Sequence, residues 1–358
     1  MELESHKVRI IGAGSIGNHL ANAFVNEGFD VEVTDINPQA LTRMKEEIYP
    51  SRYGKWDNRI KIIYPEDKSE YSVDVLVIGT PPSTHIKIAL EQLKYCSPEI
   101  ILIEKPLSHP DLTNFKELEN IVSLKKIRML VGYNHRLTKN TELATKLIEQ
   151  GKIGEVISIT SQTRESWNGI LKAHPWIAGL EESYLSSVAL GGGALFEHSH
   201  ALNLLQYFME ICGLEQIEKV QATIEMVKDS NYNYDRFSFL TLINKKGNYF
   251  HVIQDVVTIP PIKHLLINGT LGTLVWSTTS SLDEVILYDT YGNLVEHIKI
   301  DKERKDDFKP EINHIRMLLN HKGALSPLDY KYALETLEII IAAFQSNNLG
   351  QPVFLERI

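Results

Sequence analysis

The sequence has very little cysteine and no long apolar run. Only two of its 358 residues are cysteines, Cys96 and Cys212. Two distant cysteines cannot hold a chain of this length together through disulfides, so we expect two buried free thiols in a reducing compartment. No stretch reaches the roughly 20 apolar residues that a membrane helix requires. The charged start, residues 1–7, leads directly into a strand-like stretch, so we expect no signal peptide and a cytoplasmic protein.

Basic residues are outnumbered by acidic ones. The chain has 37 Lys and Arg against 46 Asp and Glu, which gives a formal net charge of −9. Nucleic acids and anionic lipid surfaces bind clusters of basic residues, so this balance argues against either partner. No group of His and Cys has the spacing of a zinc site, and we expect no metal. A small diffusing substrate is the expected partner.

The first part of the chain alternates short apolar runs with amphipathic stretches. A single hydrophobic core stops growing at about 250–300 residues, so we expect two domains. Near-continuous apolar strands separated by helices predict a doubly wound parallel sheet, that is, a Rossmann domain over residues 1–136. The predicted strands cover residues 7–11, 30–34, 60–63, 73–78, 99–103 and 128–132. The predicted helices cover residues 15–27, 38–48, 84–95 and 112–124.

The pattern changes after a linking helix predicted over residues 138–150. A strand over 156–164 and a helix over 194–208 are followed, across 217–300, by strand-length segments separated by turn residues. This pattern predicts an α+β domain with a large, mostly antiparallel open sheet over residues 137–358. Two final helices, over 309–321 and 329–346, could pack back on the first domain.

A glycine-rich loop joins the first predicted strand to the first predicted helix. The sequence Gly-Ala-Gly-Ser-Ile-Gly at residues 12–17 fits G-x-G-x-x-G in the required strand–turn–helix context. Such a loop brings a pyrophosphate close to free amides and to the positive end of the helix dipole. An ordinary glycine turn is the alternative. The predicted dinucleotide contacts here are Gly12, Ala13, Gly14, Ser15, Ile16 and Gly17.

An acidic residue ends the second predicted strand. Asp35 stands where a carboxylate binds the adenosine ribose hydroxyls in dinucleotide sites, and Ile36 follows it. A carboxylate would repel a 2′-phosphate, and no basic residue follows immediately. We therefore expect NAD rather than NADP, with Arg43 as the nearest cation that could weaken this expectation.

Three polar clusters follow later predicted strands, at residues 79–85, 104–106 and 132–136. The carboxyl ends of parallel strands meet at the edge where open α/β sheets place their ligands. Lys105, directly after a buried strand, could exchange a proton with a substrate hydroxyl beside a nicotinamide. The alternative for Lys105 is a surface residue where the chain leaves the sheet.

A triple glycine precedes the helix predicted over residues 194–208. At about 100° per residue, Glu197, His200 and Asn203 share one face of that helix. His198 falls among apolar residues and is interpreted as a core histidine. His200 is the functional candidate, and a packing histidine is the alternative.

These motifs together resemble one known family, the glucose–fructose oxidoreductase, inositol dehydrogenase and MocA (Gfo/Idh/MocA) group. The match rests on the glycine loop and Asp35, on the three polar clusters, and on the triple glycine before the His200 helix, all within residues 7–203. The resemblance implies a Rossmann domain followed by an α/β domain whose open sheet often forms a subunit interface. A homodimer or homotetramer through that sheet is therefore expected.

The resemblance also implies an activity: NAD(P)-dependent hydride transfer to or from a ring carbon of a sugar, nucleotide sugar or cyclitol. By this carry-over Lys105 is the general acid/base, His200 its partner, and the Lys105–Pro106 bond is cis. Phe196 stands where the family commonly has Asp, so Glu197, three residues before His200, is the implied catalytic acid; some sugar-biosynthesis members have this shorter acid-x-x-His form with Asp. The implied cofactor contacts extend to Thr80, Pro81, His85, Glu104, Lys105 and Asn134.

Residues expected to contact the substrate lie in the second domain. They are Arg164, which we interpret as an anion clamp, Trp176, Tyr184 and Asn203, where the family frequently has Asp. Arg136 could also help to hold an anionic nucleotide sugar. Two other functions stay open: a glycosidase that retains its NAD and oxidises the sugar transiently, and a non-catalytic NAD or sugar sensor.

Overall fold

A computed structural model describes residues 5–64, 70–172 and 174–356. The chain divides into two compact units, Met1–Gly132 with Lys305–Tyr330, and Tyr133–Arg304 with Lys331–Ile358. The first boundary lies after Gly132, whereas the sequence predicted it after residue 136. A late segment, Lys305–Tyr330, belongs to the first unit, so the chain passes between the units three times.

The first unit contains the predicted parallel six-stranded sheet. Its strand order is β3-β2-β1-β4-β5-β6, with every pair parallel. Every residue of β4 and β5 is buried, as expected for strands covered on both faces. The order reverses between β1 and β4, where open α/β sheets bind ligands. The strands are β1 Lys7–Ile11, β2 Asp30–Thr34, β3 Ile60–Ile62, β4 Val75–Ile78, β5 Ile100–Ile103 and β6 Arg128–Val131.

The helices of the first unit occur in the predicted order, but α4 and α5 are shorter than predicted and the second predicted helix is divided. The expected second helix is α2 followed by a π-helical turn, Met44–Ile48, and a further helix, α3. The late helix α10 packs on α1. The helices are α1 Ser15–Asn26, α2 Pro38–Arg43, α3 Tyr49–Tyr53, α4 His85–Gln92, α5 Phe115–Leu124 and α10 Lys309–Asn320.

The second unit is built on the predicted open, mostly antiparallel sheet. Its nine strands run in the order β14-β13-β12-β11-β7-β10-β9-β8-β15, and only the β7–β10 pair is parallel. The strands are β7 Val156–Arg164, β8 Ile217–Lys228, β9 Asn233–Asn244, β10 Tyr249–Asp255, β11 Ile262–Gly269, β12 Gly272–Thr278, β13 Leu282–Asp289, β14 Leu294–Asp301 and β15 Val353–Phe354. The helices are α6 Lys139–Glu149, α7 Trp167–Lys172, α8 Ala194–Glu197, α9 His200–Ile211 and α11 Tyr330–Leu349. Helices α9 and α6 pack on the sheet.

The helix predicted over residues 194–208 is two helices. Helix α8 ends at Glu197 and α9 begins at His200, with His198 and Ser199 between them. The angular spacing of an unbroken helix therefore does not hold across this break. Asn203 is buried, with 1% of its surface exposed, while His200 is half-buried. The prediction that Glu197, His200 and Asn203 share one face of a single helix was wrong.

Both cysteines are free; Cys96 is buried, but Cys212 is only half-buried, and burial raises the pKa of the Cys212 thiol to about 12. The Lys105–Pro106 bond is cis, which confirms the implication of the resemblance. Within the described ranges, none of the helices has the length and apolar content to span a bilayer.

Candidate functional site

The glycine loop between β1 and α1 depends on its first and last glycines for its shape. Gly12 has a φ of +113°, and a Cβ there would lie 2.4 Å from the carbonyl oxygen of Gly79. A Cβ on Gly17 would lie 2.0 Å from the carbonyl oxygen of Gly12. Gly14, in contrast, faces open space, with nothing within 4 Å of a Cβ built on it. The loop therefore leaves an open approach to the first amides of α1.

The carboxylate of Asp35 lies against this loop. Its Oδ2 accepts a hydrogen bond of 2.8 Å from the amide of Ala13, and its Oδ1 accepts one of 2.8 Å from Asn37. Ile36 is 91% exposed. These bonds fix the orientation of the carboxylate beside the turn, and its role toward ribose hydroxyls stays a prediction.

His85 joins two neighbouring loops instead of facing an open space. It is fully buried, with Nε2 2.7 Å from the carbonyl oxygen of Thr80 and Nδ1 3.0 Å from that of Pro106. Burial lowers the pKa of His85 to about 4, so the neutral ring donates to one of the two carbonyls. The prediction that His85 contacts a cofactor is corrected: its side chain supports Thr80 and Pro106 from behind.

Glu104 and Lys105 follow β5 and lie in different environments. Lys105 is half-buried, while Glu104 is 7% exposed and packs on Gly132, where a Cβ would lie 2.9 Å from Glu104 Oε1. Glu311 of α10 is also buried, and its burial and the nearby Glu104 raise its pKa well above the usual range. This acidic neighbour could not be predicted from sequence pattern, because positions 104 and 311 are brought together only by the fold.

In the second unit His200 packs among aromatic rings. The ring of His135 stacks on it with centroids 4.2 Å apart at 24°, and Tyr133 meets it edge-on at 5.5 Å. The Tyr133 hydroxyl donates to Ser199 Oγ at 3.1 Å. The residues Tyr133 and His135 stood in a cluster that the sequence singled out, but no role for His135 was predicted.

Trp276 of β12 packs against His135, which lies in the turn Asn134–Leu137. Their centroids lie 5.7 Å apart. The indole of Trp276 donates to Thr141 Oγ1 at 2.9 Å, and the Thr141 hydroxyl in turn donates to the carbonyl oxygen of His135 at 2.6 Å. We call His135 and Trp276 the aromatic platform. The aromatic platform limits the orientations that the His200 ring can adopt. A residue that transfers a proton requires a fixed ring orientation of this kind.

Glu197, at the end of α8, is close to one of the predicted substrate residues. The Tyr184 hydroxyl donates to Glu197 Oε2 at 3.2 Å.

Trp176 makes an edge contact with His174 at 5.2 Å. Asn134, predicted as a cofactor contact, is buried and begins the second unit's first turn. Half-buried carboxylate and hydroxyl groups of this kind suit the polar face of a sugar.

The triple glycine is held by a buried acid that the sequence did not reveal. Asp235 of β9 is fully buried, and its Oδ2 accepts hydrogen bonds from the amide of Leu195 and the hydroxyl of Ser238. Gly193 has a φ of +88°, and a Cβ there would lie 2.0 Å from Asp235 Oδ1. Glycine is therefore required where the chain enters α8. Burial raises the pKa of Asp235 to about 7.

The raised pKa of Asp235 should make the stability of the protein depend on pH. A carboxyl whose pKa is higher in the folded state contributes most at low pH, and its contribution falls as pH rises from about 4, the usual aspartate range, toward 7. Asp235→Asn stays neutral, so its melting temperature minus that of the wild type should increase from pH 5 to about pH 8. Thermal melts across this range test it, with the exposed Asp229→Asn as the control. A difference that does not vary with pH would contradict the prediction.

Arg136 and Asn203 are hydrogen-bonded to each other. Arg136 is 3% exposed, and its guanidinium donates to Asn203 Oδ1 at 2.6 Å and to the Asn203 carbonyl oxygen at 3.0 Å. The Asn203 amide donates to Thr336 at 2.9 Å. Burial lowers the pKa of Arg136 to about 10. The prediction of Asn203 as a substrate contact is therefore corrected, and Arg136 is not placed to hold an anion.

Arg164 is neutralised by a buried acid. Its Nε donates to Asp255 Oδ2 at 2.5 Å, and Asp255 is fully buried. A guanidinium whose charge is balanced within the protein is a poor anion clamp. The predicted clamp is corrected to a structural ion pair between β7 and β10.

Two family models match parts of the chain. Residues 7–67 match the NAD binding domain of 3-hydroxyacyl-CoA dehydrogenase. Residues 141–276 match the GFO/IDH/MocA C-terminal domain. The first match contains the glycine loop and Asp35, and the second contains the His200 region.

Curated relatives align over part of their length. Inositol 2-dehydrogenase of Rhizobium meliloti is 30% identical over 159 residues, which cover 44% of this chain and 44% of the relative. Levoglucosan dehydrogenase of Pseudarthrobacter phenanthrenivorans is 28% identical over 137 residues, 38% of this chain and 33% of the relative. The aligned region thus spans less than half of each relative.

Solved structures share the whole fold. Levoglucosan dehydrogenase in complex with NADH and levoglucosan has a TM-score of 0.78 at 17% identity and covers 98% of this chain and 100% of its own. The WlbA dehydrogenase of Bordetella pertussis, in complex with NADH and UDP-GlcNAcA, has a TM-score of 0.68 at 19% identity, with 99% of both chains covered.

Proposed function

We propose that the chain is an oxidoreductase of the Gfo/Idh/MocA type, whose C-terminal domain model matches residues 141–276, and that it is an NAD-dependent enzyme that transfers a hydride to or from a ring carbon of a sugar or cyclitol. The observation that carries the proposal is the glycine loop with Asp35 hydrogen-bonded to its Ala13 amide. The relatives named for inositol and levoglucosan suggest the substrate class.

The residues of the first unit fit NAD. Open space at Gly14 lets a diphosphate reach the first amides of α1, and Asp35 offers a carboxylate to ribose hydroxyls. The same carboxylate disfavours a 2′-phosphate, so NAD is preferred over NADP. When bound, NAD supplies the hydride acceptor or donor. Thr80, which His85 holds from behind, and Pro81 are the proposed neighbours of the nicotinamide.

The protein's own contribution is proton transfer at a substrate hydroxyl. We assign this to Lys105, after β5, and to His200, which the aromatic platform orients. During oxidation one or both accept the hydroxyl proton, and during reduction they return it. Glu197 is proposed to bind a substrate hydroxyl together with Tyr184.

The charges favour a neutral substrate. Of the two arginines that the sequence offered for an anion, Arg164 is paired with Asp255 and Arg136 is buried against Asn203. A nucleotide sugar would require cationic side chains for its phosphates. We therefore propose an uncharged sugar or cyclitol as the substrate.

A screen tests this function. The protein is mixed with NAD or NADP and a panel of cyclitols, free sugars and nucleotide sugars, and NADH or NADPH absorbance is followed. NADH formation with a neutral sugar or cyclitol is expected. Release of an aglycone without net NADH would replace the proposal with a glycosidase, and NAD binding without turnover on the panel would replace it with a sensor.

We also propose that two copies pair through the open face of the nine-stranded sheet. Leu266, Val275 and Ile286 lie side by side in the register of β11, β12 and β13, and all three are half-buried. An apolar row of this kind in the middle of a sheet face suits a partner surface.

A charge in this row should separate the copies. Leu266→Glu is expected to convert the oligomer to a monomer in light scattering, because an interface carboxylate would lose its hydration. Val295→Glu on the edge strand β14, 58% exposed, is the control. A wild-type protein that is monomeric at micromolar concentration would refute the pairing.

A further inference from the structure

Two buried acceptor oxygens in the second unit lack a hydrogen-bond donor. Asp235 Oδ1 and Gln254 Oε1 belong to fully buried residues, and within the described ranges neither oxygen accepts a hydrogen bond of normal geometry. Gln254 of β10 is paired in register with Ser238 of β9, and the Ser238 hydroxyl donates to Asp235 Oδ2 at 2.8 Å. The two side chains thus share Ser238 as a neighbour. A buried acceptor without a donor is unfavourable, so both oxygens require an explanation.

Both side chains bind the same short stretch of backbone, at the start of α8. Asp235 Oδ2 accepts a hydrogen bond of 2.9 Å from the Leu195 amide. Gln254 Nε2 donates to the carbonyl oxygens of Ala194 at 3.2 Å and Leu195 at 3.3 Å. Only the NH₂ end of the Gln254 amide can donate, so these two bonds fix its orientation and leave Oε1 as an acceptor.

One proton on Asp235 would satisfy both oxygens. A neutral carboxyl carries an O–H donor, whereas an ionised carboxylate can only accept. A proton on Oδ1 makes this oxygen the donor that Gln254 Oε1 lacks, while Oδ2 keeps its two bonds. Burial raises the pKa of Asp235 to about 7, against the lowering effect of the Ser238 hydroxyl and the Leu195 amide, so the neutral form is populated near neutral pH.

Burial, and not a charged neighbour, accounts for this pKa. The titratable residues on α8, on the turn Tyr184–Ser186 and on the adjacent segments of β8, β9 and β10 are Glu197, Tyr184, Glu225, Lys228, Tyr234, Arg236 and Asp255. Arg236 pairs with Glu225, and Arg164 pairs with Asp255. The largest influences on the pKa of Asp235 are burial, the Ser238 hydroxyl and backbone amides, which carry no charge.

Asp235 lies against a glycine that is bonded to both proposed substrate segments. A Cβ on Gly193 would lie 2.0 Å from Asp235 Oδ1. The Gly193 carbonyl oxygen accepts from the Glu197 amide at 3.0 Å. The Gly193 amide donates at 3.1 Å to the carbonyl oxygen of Leu185, the residue after Tyr184. A shift of Gly193 would therefore displace Tyr184 and Glu197 together.

We propose that Asp235 is a positioning residue whose neutral carboxyl donates a hydrogen bond from Oδ1 to Gln254 Oε1. This bond holds Gly193, and through it the side chains of Tyr184 and Glu197 that bind a substrate hydroxyl. The hydrogen bond is independent of the proposed function, whereas its effect on substrate binding rests on that function. The competing explanation is an ionised Asp235, with water donating to its Oδ1 and to Gln254 Oε1.

Thermal melts test the hydrogen bond without a substrate. The melting temperature of Asp235→Asn minus that of its parent is measured from pH 5 to 8 in three backgrounds: wild type, Gln254→Met and Ser238→Ala. The difference should increase with pH in the wild-type background, because the contribution of a raised pKa falls as pH rises toward 7 while asparagine stays neutral.

The other two backgrounds should change this increase in opposite directions. Gln254→Met removes the acceptor of the neutral form, which lowers the pKa of Asp235, so the increase should be smaller. Ser238→Ala removes a donor to the ionised form, which raises the pKa, so the increase should be larger. An increase of the same size in Gln254→Met and the wild type would overturn the hydrogen bond. A difference that is constant with pH would show an ionised Asp235 and overturn it in favour of water.

The positioning role is tested with the sugar or cyclitol that gives most NADH in the screen. The KM of the wild type is divided by that of Asp235→Asn at pH 6 and at pH 8, a ratio in which the titrations of Lys105 and His200 cancel. The ratio should be about tenfold higher at pH 8, where only about a tenth of Asp235 is neutral, and the ratio of kcat values should stay constant. In Gln254→Met, which keeps Asp235, the increase of KM should begin at a lower pH.

The contrary results have separate meanings. Equal KM ratios at both pH values, with melts as expected, would show that the hydrogen bond serves stability alone and overturn the positioning role. A change confined to kcat would overturn that role as well, because it would place the effect of Asp235 on the chemical step. If none of the sugars and cyclitols gives NADH, the proposed function fails, while the melts still decide whether Asp235 donates to Gln254.

Discussion

Replacing Lys105 with alanine is expected to lower turnover by about 10²–10⁴-fold, the usual contribution of a positioned acid or base. Lys105 is half-buried where the chain leaves β5, and the buried Glu104 precedes it. The lost amine is the proposed proton acceptor for the substrate hydroxyl, while the glycine loop and Asp35 are untouched. NAD binding should therefore stay nearly intact.

The experiment separates chemistry from binding. NADH formation is measured with the best substrate of the screen, and NAD affinity is measured by titration without substrate. Lys87→Ala removes an exposed lysine of α4 and serves as the control for loss of charge. Near-normal turnover by Lys105→Ala would end its assignment as acid or base, and a parallel loss of NAD affinity would show that it acts in binding.

Two glycines of the same loop should respond differently to alanine. Gly12→Ala places a residue with a Cβ at a φ of +113°, 2.4 Å from the Gly79 carbonyl oxygen. The backbone conformation alone costs about 1–3 kcal/mol, and the main chain of Gly79 must move as well. We expect a lower melting temperature together with loss of NAD binding.

Gly14→Ala is the matched comparison. Gly14 has a φ of −76°, and nothing lies within 4 Å of an added Cβ. Without NAD, the Gly14→Ala variant should have the melting temperature of the wild type. It should bind NAD weakly, because the added Cβ occupies the space through which the diphosphate approaches. Thermal melts with and without NAD test both variants. Wild-type NAD affinity in Gly14→Ala would show that the diphosphate does not approach there.

The sequence predicted those features that depend on local pattern. The glycine loop could be found because strand, turn and helix follow one another within residues 7–26, and Asp35 because it ends the next strand. The open sheet could be predicted from alternation and turns. These patterns need no knowledge of which distant residues meet.

The features that were missed depend on tertiary contacts. Asp235 meets the triple glycine from a strand forty residues further on, and Trp276 supports His135 across more than a hundred residues. The pairs Arg164–Asp255 and Arg136–Asn203 likewise turn two apparent anion sites into internal contacts. The sequence shows that an arginine is present, but only the fold shows which residues bind its guanidinium.

The three crossings of the chain between its units have a consequence for synthesis on the ribosome. The outer strand β6 of the parallel sheet is completed from late in the chain: Val131 donates its amide to the carbonyl oxygen of Leu328, and Leu130 pairs with Asp329. The unit that is translated first must therefore wait for residues near 330 before its sheet edge is covered. A nascent chain stopped before α10 lacks Leu328 and Asp329, so the edge at β6 would be exposed to pairing with other chains until they are made.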